Sequence, residues 1–253
     1  MRYFFLIKNI KNWWLYLLYK FGLVKTDPLL FRARRGILVE VPQKLLHTFK
    51  EIFMDECYMH GLTHKLPACP VFIDIGANAG YFSLYAASRF ANARIYAYEP
   101  IPANFEQLMR NINLNKNSRI IAFQKAVAGS SGETVMTFDE IEGFSTTAHI
   151  VTELYPASTN NLIKVQCVTI KDIFDENQLD TCDFLKMDCE QSENDIIFNC
   201  PVDYLSRIKL LAIEVHDDIV VNLAELLKKF LHDNGFTTHE TKKALGMLYA
   251  WKD

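Results

Sequence analysis

The chain has 253 residues, half of them hydrophobic, and carries a net charge of -3 with a pI near 6.2. This length and composition predict a globular protein with one sizeable domain plus an appendage, and they exclude a disordered chain. The slight acidic excess argues against a nucleic-acid partner, because proteins that neutralise many phosphates carry a clear excess of Lys and Arg.

The six cysteines are scattered without a C-x-x-C pair, and several lie in apolar segments where a free thiol behaves as a small hydrophobic group. We therefore expect a reducing compartment, the cytoplasm. Neither these cysteines nor the seven histidines show the short spacing of a structural zinc site.

Residues 1–29 are predicted to form an amphipathic helix rich in aromatic and basic residues. Up to Lys25 the segment contains five basic residues and no acidic one, interleaved with Trp13, Trp14 and other large apolar side chains. The longest uncharged run, Asn12 to Tyr19, has eight residues, whereas a bilayer span needs roughly 20. Two interpretations stay open. Residues 1–25 lie peripherally at the inner face of the membrane, or the helix packs on its own domain or in a homodimer.

Residues 30–70 are predicted to form a small hairpin and a helix that cap the next domain. The hairpin covers Leu30 to Val41 and turns near Gly36, and the helix covers Gln43 to Tyr58. Prolines at positions 67 and 70 then mark a linker.

Residues 71–253 alternate between short strands and helices, which predicts a mostly parallel sheet covered on both faces. The runs Phe236 to Glu240 and Leu245 to Trp251, joined by the K-K-A-L-G turn, predict a terminal hairpin whose last strand runs against the others. The predicted strands before it are Val71 to Ile75, Arg94 to Tyr98, Arg119 to Val127, Cys182 to Met187 and Lys209 to Val215. The predicted helices are Tyr81 to Phe90, Ile101 to Asn115, Ile170 to Glu176, Glu193 to Phe198 and Val220 to Asn234.

An insertion interrupts this alternation between the third and fourth strands. Glu133 to Phe138 and Leu162 to Val168 have the pattern of paired strands. The roughly 23 residues between them, Asp139 to Asn161, show no clear period, and loops of this length are functional or disordered. We expect a lid or substrate loop here; the alternative is a disordered surface loop.

The stretch V-F-I-D-I-G-A-N-A-G-Y-F-S, from Val71 to Ser83, leads from a strand through a glycine turn into a helix. Such a turn places backbone N–H groups and a helix N-terminus beside a ligand. A dinucleotide-binding turn needs G-x-G-x-x-G, but in the frame that begins at Gly76 the second glycine is Asn78 and the third is Tyr81. The pyrophosphate interpretation therefore fails at two positions.

Methyltransferases with a Rossmann-like fold use a related turn, in which an acidic residue at the strand end precedes G-x-G-x-G or a relaxed form of it. Asp74, Gly76, Asn78 and Gly80 fit this form, since asparagine tolerates positive φ better than most residues other than glycine. Glu99 ends the second strand, where an acid can accept hydrogen bonds from both ribose hydroxyls. NAD-binding folds place an acid at the same point, so Glu99 alone does not discriminate.

Four separated blocks of this sequence resemble the FkbM-type methyltransferases, which use S-adenosylmethionine. In chain order they are D-I-G-A-N-A-G-Y-F-S from Asp74, Y-E-P-I-P-A-N-F from Tyr98 with asparagines at 111 and 113, D-F-L-K-M-D-C-E-Q-S-E from Asp183, and I-E-V-H from Ile213. Together they extend the resemblance from about residue 30 to the C-terminus. One position departs from the family pattern D-x-E-G-x-E: Gln191 replaces its glycine, which puts the local turn geometry in question.

The resemblance implies an α/β, Rossmann-like class I methyltransferase fold, with a seven-stranded, mostly parallel sheet and an antiparallel terminal strand, preceded by an N-terminal helix and a small hairpin. It also implies an O-methyltransferase that transfers a methyl group from S-adenosylmethionine to a hydroxyl oxygen of a small molecule or glycan. The cofactor-binding residues that follow from the resemblance and the turn are Asp74, Gly76, Asn78, Gly80, Glu99, Pro100 and Ala126.

Such a reaction needs a general base, because an alcohol is a poor nucleophile until its proton is leaving. In this fold bases come from strand ends at the open edge of the sheet. Asp188 and Glu190 follow the fourth strand, and Glu214 and His216 end the fifth. We expect Asp188 to line the reaction centre, and His216 or Glu190 to accept the proton. No metal ion is expected, although the acidic cluster offers oxygen ligands to a divalent cation.

Two other functions stay open on the sequence alone. An NAD-dependent oxidoreductase would share the acid at Glu99, but the required glycines are missing. A catalytically degenerate relative would use the aromatic-basic N-terminus and the long loop to bind a partner, and Gln191 keeps that alternative open. No pattern in the sequence identifies the acceptor.

Overall fold

The computed structural model describes residues 2–59, 66–116, 119–139, 144–145, 147–153, 156–157, 161–216, 222–241 and 246–252. The N-terminal part contains two short helices, α1 (Arg2–Asn9) and α2 (Trp14–Lys20), where the sequence predicted one continuous helix. The break has a physical cause, because Ile10 leaves the helix to pair antiparallel with Ala33 of the following hairpin. Backbone pairing with the hairpin thus takes the place of a further helical turn after Asn9.

A hairpin and a helix follow as predicted, but the helix is shorter than the predicted Gln43 to Tyr58. β1 (Leu29–Arg32) pairs antiparallel with β2 (Leu38–Val41), and the turn between them contains Gly36 with positive φ. The helix α3 (Leu46–Phe53) begins after a 3-10 turn at Gln43–Leu45. Three buried phenylalanines of this part pack in one hydrophobic cluster with Tyr81 and Tyr85 of the next helix. These phenylalanines are Phe31, Phe49 and Phe53.

The strands after this part belong to two sheets. They are β3 (Val71–Ile75), β4 (Arg94–Tyr98), β5 (Ile120–Phe123), β6 (Ala126–Val127), β7 (Gly132–Phe138), β8 (Ala148–Ile150), β9 (Leu162–Val168), β10 (Phe184–Met187), β11 (Leu210–Glu214), β12 (Thr237–Glu240) and β13 (Met247–Trp251). The main sheet has the order β12-β13-β11-β10-β3-β4-β5, and β13 runs antiparallel to both of its neighbours. The other pairs in this sheet are parallel. This confirms the predicted seven-stranded, mostly parallel sheet with an antiparallel terminal strand.

Helices cover both faces of the main sheet. Phe72 joins the same hydrophobic cluster as Leu84 and Leu108, whereas its neighbour Ile73 joins the cluster of Ile173 and Leu227. Successive strand residues point to opposite faces, so the two clusters are the two cores on either side of the sheet. The helices are α4 (Tyr81–Arg89), α5 (Pro102–Leu114), α6 (Ile170–Glu176), α7 (Glu193–Phe198), α8 (Val202–Leu205) and α9 (Leu223–Asp233).

The insertion forms a second sheet of four strands, in the order β6-β9-β7-β8. The single strand predicted for Arg119 to Val127 is therefore wrong: β5 stays in the main sheet, and Ala126 pairs with Cys167 in the second. β8 lies within the predicted loop and pairs with β7. Several predicted positions lie outside the described residues: Val220 at the start of the last helix, the turn residues 242–245, and loop residues 140–143, 146, 154–155 and 158–160.

Candidate active site

A cavity of about 380 Å³ opens at the carboxyl ends of β3, β4, β10 and β11. Parallel α/β sheets bind ligands at this edge, and the volume is in the range of small-molecule sites. The N-terminal part contributes Glu51, Ile52 and Tyr58 to the wall, and the second sheet contributes Met136 and Ile150. The cavity is thus enclosed by all three parts of the chain.

The glycine turn after β3 forms one side of the cavity. Gly76, Asn78 and Gly80 have φ of 71°, 49° and 81°, all in the left-handed region. A Cβ at Gly76 would lie 1.7 Å from the backbone oxygen of Asp188, so the turn approaches β10 too closely for any side chain. A Cβ at Gly80 would lie 2.4 Å from Cδ1 of Leu108. Asn78 adopts the left-handed conformation that the sequence analysis expected.

Asp74 lies beneath this turn, fully buried, and is not part of the cavity wall. Its Oδ2 accepts a hydrogen bond from the Ser83 hydroxyl at 2.7 Å, and its Oδ1 lies 3.4 Å from Nζ of Lys186. Asp74 therefore supports the turn from below, and Gly80 is also outside the wall. The other predicted cofactor residues line the cavity: Gly76, Asn78, Glu99, Pro100 and Ala126.

The sequence analysis missed Lys186, although a lysine inside the apolar strand D-F-L-K-M-D was a visible signal. Its Nζ donates to the backbone oxygen of Gly76 at 2.6 Å and lies 3.5 Å from Oδ2 of Asp188. Burial lowers the pKa of Lys186, but the negative charges of Asp188 and Asp74 outweigh it and raise the pKa above its ordinary value. A permanent positive charge therefore joins β10 to the glycine turn.

Glu99 is held by backbone groups at the edge of the cavity. Its Oε2 accepts from the N–H of Asn78 at 2.8 Å, and its Oε1 accepts from the N–H of Ile101 at 2.9 Å. Burial raises the pKa of Glu99 to about 7, even though these two hydrogen bonds lower it. The side chain is thereby fixed in one orientation against the turn.

The insertion reaches the glycine turn through Ser145. Its backbone oxygen accepts hydrogen bonds from Nδ2 of Asn78 at 3.2 Å and from Nδ2 of Asn104 at 2.9 Å. Ser145 is buried, and its hydroxyl donates to Asp139. The described part of the predicted substrate loop thus contributes to the cavity, and Asn104 and Ser145 are site residues that the sequence analysis did not identify.

Tyr58 bridges two carboxylates of the opposite side. Its hydroxyl lies 2.7 Å from Oδ2 of Asp188 and 3.0 Å from Oε2 of Glu214. One hydroxyl has one proton, so Tyr58 can donate to Asp188 while it accepts from a protonated Glu214. Burial and the charge of Asp188 raise the pKa of Glu214 to about 8, in agreement with that arrangement. No local motif marks Tyr58, which the sequence analysis also missed.

His216 lies between two glutamates and outside the cavity wall. Its Nδ1 is 2.9 Å from Oε1 of Glu193, and its Nε2 is 3.5 Å from Oε2 of Glu190. Burial lowers the pKa of His216, but the hydrogen bond and charge of Glu193, with the charge of Glu190, raise it to about 10. A protonated imidazole cannot accept a proton, so these contacts favour Glu190 over His216 as the base.

Glu190 is on the cavity wall, and burial raises its pKa to about 7 although His216 lowers it. A carboxyl group that titrates near neutral pH is well suited to general base catalysis. Asp188 also lines the cavity.

Asp188, Glu214 and His216 each offer one ligand atom within 4.8 Å of the others, close enough to share a divalent cation. Lys186 and Tyr58 also contact Oδ2 of Asp188, and His216 lies against Glu193 and Glu190.

The sequence model of the methyltransferase FkbM domain matches residues 74–238, more than half of the chain. The chain belongs to the FkbM methyltransferase family. Its relatives in this family include the 31-O-demethyl-FK506 methyltransferase FkbM of Streptomyces tacrolimicus, 29% identical over 75% of this chain and 80% of the relative. The methyltransferase sdnD of Sordaria araneosa is 27% identical over 74% of this chain and 80% of its own length.

The solved structure of methyltransferase FkbM from Methylobacillus flagellatus shares the fold, with a TM-score of 0.51 and 16% identity. The match covers 82% of this chain and 54% of that protein. The methyltransferase fold implies S-adenosylmethionine as the methyl donor. Family membership and the missing glycines together set the dinucleotide alternative aside.

Gln191, which departs from the FkbM pattern, keeps the backbone conformation of a glycine. Its φ is 74°, and that of Glu190 before it is 47°. The left-handed conformation costs a residue with a side chain roughly 1–2 kcal/mol. The turn after β10 is therefore preserved at an energetic cost and still presents Glu190 to the cavity.

Proposed function

We propose that the chain is an O-methyltransferase that transfers a methyl group from S-adenosylmethionine to a hydroxyl oxygen of a small molecule or glycan. One observation carries this proposal: a single cavity is lined both by the glycine turn with Glu99 and by the carboxylate of Glu190. A cofactor side and a proton-accepting side thus face the same space. The name of the Streptomyces relative gives an O-demethyl compound as that enzyme's substrate, which supports transfer to oxygen.

The glycine turn and Glu99 fit the nucleoside of the methyl donor. The Glu99 oxygens accept the backbone N–H groups of Asn78 and Ile101, and Asn104 also hydrogen-bonds this carboxylate, which leaves capacity for a ribose hydroxyl. Pro100 and Ala126 also line the cavity beside this group. When bound, the cofactor supplies a methyl group already activated by a positively charged sulfur.

The charge of the cavity suits such a ligand. The wall contains one lysine, Lys186, and five acidic side chains: Glu51, Glu99, Asp188, Glu190 and Glu214. Burial raises the pKa of Glu99, Glu190 and Glu214, and those acids that are ionised attract a positively charged ligand. The same carboxylates can accept hydrogen bonds from the hydroxyls of a sugar or small molecule, whereas they repel a phosphorylated acceptor.

On the acceptor side we assign Glu190 as the general base. In its carboxylate form it can take the hydroxyl proton as the oxygen attacks, and protonated His216, 3.5 Å away, stabilises that negative charge. Tyr58 and Lys186 hold Asp188 in place beside it. With Glu190 as the base, His216 acts as a positioning residue.

Calorimetry with S-adenosylmethionine and with its demethylated product tests the cofactor side. Glu99→Gln should weaken binding at least tenfold, because the neutral amide loses charge and an acceptor for ribose hydroxyls. Glu106→Gln, an exposed acid on α5, is the matched control and should bind like the wild type. An absence of binding by the wild-type chain would contradict the proposal.

Mass spectrometry of mixtures of the protein, S-adenosylmethionine and a panel of hydroxylated acceptors tests the transfer. We expect an acceptor that gains one methyl group with wild-type protein and little with Glu190→Gln. Cofactor binding without transfer to any sugar or small molecule would instead favour the catalytically degenerate binding protein.

A further inference from the structure

The first 35 residues carry a charge opposite to that of the remaining chain. They contain eight basic residues and one acidic residue, Asp27, whereas residues 36–253 contain 19 basic and 29 acidic ones. A protein with a net charge of -3 thus has a strongly cationic N-terminal part. Such segregation is typical of a segment that meets an anionic partner.

The same part exposes large apolar side chains on its outer face. Leu6 in α1 and Ile10 just after it are buried against the core, while Phe4 and Ile7, three residues apart, are 66% and 55% exposed. Residues three or seven apart lie on one face of a helix, so this exposed pair forms a stripe opposite the buried one. Apolar area of this kind is not needed for the fold itself.

The second helix repeats the pattern. Trp14 and Phe21, seven residues apart, are 52% and 70% exposed, and Leu23 just after the helix is 72% exposed. Trp13, by contrast, packs against the hydrophobic core. The two tryptophans therefore have different roles: one anchors the helix, and the other faces solvent.

Contacts between the two helices make these stripes one surface. The rings of Tyr3 and Tyr16 lie 6.4 Å apart, and Nζ of Lys20 donates to the Tyr3 hydroxyl at 2.6 Å. The basic turn of the hairpin adjoins α1, because Nε of Arg34 donates to the backbone oxygen of Lys8 at 2.6 Å. We call residues 2–25 and the turn Arg34–Gly36 the N-terminal face.

Part of the positive charge of this face is available to a partner. Lys11, Lys25 and Arg35 are exposed and form no ion pair with any residue that the structure describes. Arg2 and Lys8, by contrast, pair with Asp55 and Glu56 and fasten α1 to the end of α3. The face is thus held rigidly while its outer charges stay uncompensated.

We infer that the N-terminal face binds the surface of an anionic lipid bilayer. Exposed aromatic and aliphatic side chains beside uncompensated cations are the combination by which helices lie in a membrane interface, with the apolar groups below the headgroups. Among the described residues no helix has the length and apolar character needed to cross a membrane. The charge and the aromatic content favour lipid over a second copy of the chain, because a homodimer through this face would bring like charges together.

Co-sedimentation of the full chain with vesicles tests this inference. Vesicles of phosphatidylcholine with about one third phosphatidylglycerol should bind the protein, vesicles of phosphatidylcholine alone should not, and high salt should weaken the binding. Lys11→Gln, Lys25→Gln and Arg35→Gln together should lower the affinity about 100-fold. Trp14→Ser with Phe21→Ser should also lower it.

The matched control neutralises three exposed basic residues elsewhere, Arg110→Gln, Lys116→Gln and Lys229→Gln, and should bind anionic vesicles like the wild type. Thermal unfolding followed by circular dichroism verifies that each variant is folded. If the control variant lost as much affinity for anionic vesicles, net charge alone would explain the effect and the inference would be overturned. Failure of the wild type to bind, or a dimer in sedimentation velocity that Trp14→Ser with Phe21→Ser dissolves, would overturn it as well.

Discussion

Lys186→Met removes the positive charge beneath the glycine turn and keeps most of the apolar stem. The side chain of Lys186 is 3% exposed and that of Asp74 is fully buried, with 3.4 Å between Nζ and Oδ1. No hydrogen-bond donor reaches that Asp74 oxygen in the described structure, so Lys186 is what compensates it. The substitution therefore leaves an uncompensated carboxylate in the core and removes the donor to the Gly76 backbone oxygen.

Removing one partner of a buried ion pair costs about 3–5 kcal/mol. For Asp74, which solvent cannot reach, we expect a value within this range, whereas Asp188 is 27% exposed and contributes less. In a chain of this size the loss corresponds to a decrease of about 10 °C in Tm. Adding Asp74→Asn to Lys186→Met should recover part of the loss, because the amide removes the stranded charge.

Urea unfolding monitored by circular dichroism measures these differences in the free energy of unfolding. Lys171→Met is the matched control, since Lys171 also pairs with an aspartate, Asp175 at 2.6 Å, but the two side chains are 49% and 46% exposed. An exposed pair is worth less than about 1 kcal/mol. A loss for Lys186→Met no larger than that of Lys171→Met, or no recovery with Asp74→Asn, would refute the reasoning.

Three further predictions concern the turns and the base. The kcat/KM for methyl transfer should rise as pH increases through about 7, because Glu190 must lose its proton to act. Glu190→Gln should abolish this rise and lower kcat about 100-fold. If the variant kept the pH profile of the wild type, another group would be the base. Gly76→Ala should destabilise the fold by about 2–5 kcal/mol in urea unfolding, since the alanine Cβ would lie 1.7 Å from the backbone oxygen of Asp188. A variant as stable as the wild type, with normal cofactor binding, would contradict this. Gln191→Gly should stabilise the fold by about 1 kcal/mol by relieving its positive φ. The same exchange at Gln124, whose φ is not positive, should not stabilise it.

Much of the cofactor side was predictable because its determinants are local. The strand from Val71, the turn through Gly76 and the helix from Tyr81 occupy eleven consecutive positions whose pattern and turn chemistry point to one structure. The left-handed φ of Asn78 followed from its residue type. Glu99 ended a strand that the apolar pattern already marked, and the terminal hairpin indicated the antiparallel last strand.

The acceptor side depended on contacts that no local pattern contains. Tyr58 is 130 positions from Asp188 and 156 from Glu214, so only the packing of the N-terminal part against the sheet brings them together. The protonation of His216 depends on two glutamates that a reference pKa ignores.

The sequence by itself determined the alternation that builds the main sheet, the glycine turn with its acids and the cationic character of the N-terminus, because periodicity, turn chemistry and charge are properties of neighbouring residues. Tertiary structure alone decided where Asp74 lies, what Lys186 compensates and how the helix predicted for residues 1–29 divides at Ile10. Burial and ion pairing arise between segments far apart in the chain, and the pKa values that select the base follow from them.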